Sequence, residues 1–90
     1  MDNTRIIEVE GMTITVDTVK TGSWGAFQLL KKARQETDEL DQYQALVELI
    51  EYATDTTEAE VVEHLGGDNA QFLDVVRVMA TIAGEIYPKN

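Results

Sequence analysis

The chain begins with strict alternation. Ile7 and Val9, then Met12, Ile14 and Val16, alternate with polar residues. A period of two marks a half-buried strand. Glu10-Gly11 separates the two runs, and Gly accepts the positive φ of a tight turn. The pattern predicts a β-hairpin over residues 5–16. A two-stranded hairpin is marginal alone, so its apolar face must pack on the rest of the chain.

The period then lengthens. Residues 17–22 read as a linker, and Ser23 is placed to cap a helix over 24–36. Ala26, Leu29, Leu30 and Ala33 share one face of that helix. Lys31, Lys32 and Arg34 lie towards its C-terminal end, where cations offset the helix dipole. Thr37-Asp38 interrupts the pattern. A second helix over 39–53 carries a core stripe of Leu40, Tyr43, Leu46, Val47, Ile50 and Ala53. On its flank Ala45, Leu49 and Tyr52 form a smaller stripe. Thr57-Glu58-Ala59-Glu60 reads as a capping box opening a short helix over 58–65, with Val61, Val62 and Leu65 inward. Gly66-Gly67 ends it in a left-handed stop.

Asp68 or Asn69 then caps a last helix over 69–87, which Pro88 terminates. Phe72, Val75, Val76, Met79, Ile82, Ala83 and Ile86 share a face, and Leu73, Val78 and Ala80 widen it. An apolar arc of more than half the circumference belongs to a central helix, or to one that offers a flank to a partner. Together these elements predict a mainly α fold: a small helical bundle of about four helices with an N-terminal β-hairpin, forming one domain over 1–90.

Charge changes the picture most. Seven basic residues face seventeen acidic ones, for a net charge of −10. Between Arg34 and Arg77 lie twelve acids and no Lys or Arg, with His64 the only potential cation. Such a surface repels phosphate backbones and anionic lipid, so neither nucleic acid nor membrane is expected as a direct partner. The acids keep the protein soluble, or they attract a basic partner or keep an aggregation-prone one dissolved. The chain has no cysteine, which removes disulfides, thiolate nucleophiles and most structural zinc sites. The first ten residues have no apolar or basic signal-peptide region, and no apolar run approaches the ~20 residues that span a bilayer. A cytoplasmic setting is expected.

Little here supports catalysis. His64 reads as an i,i+4 partner of Glu60 and a complement to the helix dipole. Nothing in the sequence places a nucleophile or an orienting group beside it. Asp38-Glu39-Leu40-Asp41 lacks the central Gly and spacing of a calcium loop. Gly22-Ser23-Trp24-Gly25 lacks the lysine of a phosphate loop and the flanking residues of an acyl-carrier serine. No enzyme activity, metal or cofactor is expected.

The candidate binding residues are therefore apolar. Trp24 and Phe27, in the first turn of their helix, either clamp the hairpin onto the bundle or anchor a partner. The flank of Ala45, Leu49 and Tyr52, with Leu73 and Val78 on the last helix, is either core or a protein-binding surface.

The order of elements, and the segments Ile6-Ile7-Glu8-Val9-Glu10-Gly11, Trp24 to Lys32, Glu48-Leu49-Ile50-Glu51 and Phe72 to Ile86, resemble the tail assembly chaperones of long-tailed bacteriophages and prophages. The likeness spans nearly the whole chain and is one of layout and composition. It implies a protein that binds the long helical tape-measure protein and keeps it soluble while tail tube subunits assemble around it. The tail tube protein and further copies of the chain are secondary partner candidates. It also implies a longer product made by a −1 ribosomal frameshift. The codons CCA-AAA-AAC are one way to encode Pro88-Lys89-Asn90, and they contain a slippery A-AAA-AAC. The rival readings are an acidic nucleic-acid mimic that inhibits a DNA-binding enzyme, and another small regulatory protein-binding domain.

Overall fold

The computed structural model describes residues 3–87; Pro88 and the two residues after it lie outside them. An antiparallel hairpin, β1 (Thr4–Val9) and β2 (Met12–Asp17), leads into five α-helices. These are α1 (Thr18–Thr21), α2 (Trp24–Gln35), α3 (Glu39–Ala53), α4 (Glu58–His64) and α5 (Phe72–Ile86). The protein is mainly helical with an N-terminal hairpin, as the periodicities predict.

Val9 pairs with Met12, leaving Glu10-Gly11 as a two-residue loop. Its φ values are +50° and +85°, both positive as a type I′ turn demands. Ile7, Val9, Ile14 and Val16 are buried on the inner face, while Ile6 on the outer face is exposed. The outer edge of β2 is covered by the turn after α3. Val16 bridges to Thr54. The Thr15 N–H donates to Asp55 Oδ1 at 3.0 Å, and the Asp55 N–H donates to the Thr15 carbonyl at 3.1 Å. An edge paired in this way is not free to recruit another strand.

The hairpin is also tied down at both ends. His64 Nε2 lies 2.9 Å from the Glu10 carbonyl, and the Arg77 guanidinium pairs with the Glu10 carboxylate. His64 therefore bonds the hairpin turn, not Glu60. At the other end Arg5 donates to the Glu85 carbonyl at 3.0 Å, among the last-turn carbonyls of α5 that lack helical partners. The main core joins the hairpin face to Val47 and Ile50 of α3, Val61 of α4 and the buried side of α5. Part of the broad apolar arc of α5 is thus central to the core, while Phe72, Leu73 and Val76 of the same arc stay exposed.

Three expectations change. Residues 18–21 form one helical turn, capped by Asp17, whose carboxylate accepts from the Val19 and Lys20 N–H groups. α5 begins at Phe72 rather than 69. Gly66 and Gly67 take φ values of +119° and +63°, and Gly67–Asn69 closes a 3-10 turn. Ala70 and Gln71 are extended, so Gln71 and not Asp68 or Asn69 precedes the helix. Finally, the α3 flank is covered because α2 lies along it. Ala45 and Leu49 are buried there together with Ala26 of α2. Val78 is buried in the main core.

Candidate functional site

Three helix starts meet on one face. Asp38 caps α3, its Oδ1 accepting from the Leu40 N–H at 2.9 Å and the Asp41 N–H at 3.2 Å. Thr57 caps α4 by accepting from the Glu60 N–H at 3.2 Å. The Glu58 N–H, also in that first turn, donates to the Glu51 carboxylate at 2.8 Å. α5 starts at Phe72, directly after the extended Ala70-Gln71. The side chains of these first turns enclose an apolar cavity of about 540 Å³. Leu40, Tyr43, Val62, Phe72, Leu73 and Val76 contribute most of its wall, and Glu39 and Glu58 bring carboxylates to it. An adjoining trough of about 500 Å³ shares Glu39, Tyr43 and Val76 and continues to Leu30, Ala33 and Leu46.

The exposure of these side chains is the telling feature. Leu40 is 78% exposed, Phe72 76% and Leu73 68%, and Val76 is also exposed. Leu40, Phe72 and Val76 read from sequence as core. Among the described residues, no element covers these side chains. Isolated exposed leucines are ordinary, whereas a cluster around one apolar depression marks an interaction surface.

One polar contact crosses the cavity wall. The Tyr43 hydroxyl donates to the Glu58 carboxylate. Burial pushes the Tyr43 pKa well above its ordinary value, and the hydrogen bond to Glu58 and the charges of Glu58 and Glu51 push it the same way. The hydroxyl is thus held protonated, as a donor.

The seven residues singled out from sequence fall into three places. Leu73 belongs to this cavity. Ala45, Leu49 and Val78 are buried and form no part of any open surface. Trp24 and Phe27 lie at the start of α2, where Tyr52 reaches across from α3. Trp24 is 69% exposed, and its ring centroid is 5.2 Å from that of Phe27. Both rings are exposed and lie outside the core that packs on the hairpin. The Tyr52 hydroxyl lies 3.2 Å from Ser23 Oγ, under Lys20, whose Nζ is 5.5 Å from the ring centroid. A Cβ on Gly25 would stand 2.8 Å from the Tyr52 hydroxyl, so any larger residue there would make the Tyr52 side chain shift.

Sequence reasoning missed Leu40, Phe72 and Val76. A signal was present for two of them: Leu40 is the second residue after the cap Asp38, and Phe72 opens α5. First-turn residues project beyond the helix body, where a short bundle has nothing to set against them. Among the described residues, no group of three or more His, Cys, Asp or Glu side chains is placed to hold a metal ion. No helix among them is long and apolar enough to cross a membrane.

The fold defines a hairpin-capped helical bundle with an open apolar cavity. Beyond that class, comparison with protein-family models gives no match, and comparisons with curated proteins and with solved structures give none either.

Proposed function

We propose that this protein is a non-catalytic binding domain that receives an apolar helical segment of a client protein in the cavity between α3, α4 and α5. In keeping with the resemblance in its sequence, we read it as a tail assembly chaperone of a long-tailed phage or prophage. It would act in the cytoplasm of the bacterial host, holding the tape-measure protein soluble during tail assembly. One observation carries the binding reading: Leu40, Phe72, Leu73 and Val76 stand exposed around a single apolar cavity. An amphipathic helix laid into such a groove is a recurrent mode of peptide recognition. The acidic stretch around it supports the chaperone reading, because a strongly hydrated exterior keeps the complex dispersed. Weak binding at each site suffices when many copies decorate one long client. A nucleic-acid mimic needs carboxylates at phosphate-like spacing and no such apolar depression.

The test is co-expression with a tape-measure protein, the long helical chain that this reading names as the client. The protein should raise the soluble yield of that chain, and Leu40→Asp/Leu73→Asp should abolish the gain while remaining folded. A gain untouched by the double substitution would remove the cavity from the account. No gain at all, together with a salt-sensitive complex with a DNA-binding enzyme, would favour the mimic.

A further inference from the structure

Resting on that reading, we infer that the cavity selects a client helix whose apolar face is flanked by Lys or Arg. The interior offers Leu40, Phe72, Leu73 and Val76 to an apolar anchor, while the charged groups among its lining residues are the carboxylates of Glu39 and Glu58. Among the described residues, no cation is ion-paired with either of them. Ion pairs among the described residues join Lys32 to Glu48, and Arg77 to Glu10 and Asp74. His64 is engaged by the hairpin turn. Arg34 lines the adjoining trough, which Glu39 also borders, but no ion pair joins the two, and Glu58 lines the first cavity only. Tyr43 occupies Oε2 of Glu58, leaving the other oxygen to accept from a partner.

The helix ends do not cancel this charge. Each N-terminus contributes about half a positive charge. Against the three ends stand Asp38, Glu39 and Asp41 at α3, Glu58 and Glu60 at α4, and Asp74 at α5. Full charges outnumber the half charges, so the entrance is negative. An acidic-flanked helix burying its apolar face here would set like charges together, whereas a basic one would answer them. Charges of this kind discriminate between partners more than they add affinity. The apolar anchor therefore supplies the binding, and the carboxylates decide which helix is admitted.

The test uses labelled amphipathic peptides of about 18 residues, or five turns, read by fluorescence anisotropy. All share one Leu/Phe face, with flanks of Lys/Arg, Gln or Glu. A fourth has Lys/Arg flanks and a polar face. Each is titrated into the whole protein, into Glu39→Gln/Glu58→Gln and into Leu40→Asp/Leu73→Asp. Gln keeps an acceptor for Tyr43, and circular dichroism with thermal melting checks that each variant folds. The basic-flanked peptide should bind more tightly than the Gln-flanked one by roughly 2- to 30-fold, the range for two exposed ion pairs. The Glu-flanked and polar-faced peptides should bind weakest. Glu39→Gln/Glu58→Gln should bring the basic-to-Gln ratio close to one.

A ratio unchanged in that variant would trace the preference to overall charge and overturn the inference. If Leu40→Asp/Leu73→Asp still removed binding of the Gln-flanked peptide, the cavity would stand as the client site without its charge filter. Absence of binding by every peptide would also overturn the inference. The soluble-yield experiment would then decide separately whether the cavity reading falls with it.

Discussion

Leu49 and Leu73 both sit on helix flanks, and the fold treats them oppositely. Leu49 is fully buried under α2, whereas Leu73 is open at the cavity between α3, α4 and α5. Leu49→Ala should therefore lower stability by about 2–5 kcal/mol. That is a large share of the roughly 5–13 kcal/mol expected for a chain of this size. Leu73→Asp should change stability by no more than about 0.5 kcal/mol, as for an exposed position without special contacts. Urea unfolding midpoints separate the two. Equal losses would mean that Leu73 is covered in solution. Sequence periodicity could not tell these leucines apart, because it reports which side of a helix a residue is on. Whether another helix covers that side depends on the path of α2, which leaves no periodic trace in α3.

Caps and turns were the most legible elements. Ser23 and Thr57 cap α2 and α4 as their residue types suggest, and Glu10-Gly11 and Gly66-Gly67 adopt positive φ. Each of these follows from local chemistry alone. α1 was missed because one helical turn is too short to display a period of 3.6. The start of α5 was misplaced because Asp68 and Asn69, both good cap residues, are used in a 3-10 turn instead. The cap of α3 is the local device closest to the site. Asp38 holds the turn that displays Leu40. Asp38→Ala should cost about 0.5–2 kcal/mol and speed amide exchange at Leu40 and Asp41. Unaltered exchange there would show that the turn is held by packing and not by its cap.

At the scale of the whole molecule, charge dominates. Of seventeen acids, only Glu10, Glu48 and Asp74 are ion-paired among the described residues. Several others serve as caps or turn acceptors, but those bonds leave the net charge in place. Self-repulsion should lower stability at low ionic strength. It should fade as salt brings the Debye length from about 30 Å at 0.01 M to about 8 Å at 0.15 M. The melting temperature is expected to rise over that range, and a flat or falling trend would show the acids compensated in some other way. The excess of acids was plain in the sequence. The apolar cavity that they border was not, because it exists only where three helix starts converge.

The central claim is that this convergence, and not the aromatic patch on α2, is where a client sits. Amide hydrogen–deuterium exchange on the complex recovered by co-expression, compared with the protein alone, tests it most directly. Slowing confined to residues 39–43, 58–62 and 70–76 is the predicted result. Slowing at residues 24–27 with the cavity unchanged would contradict it.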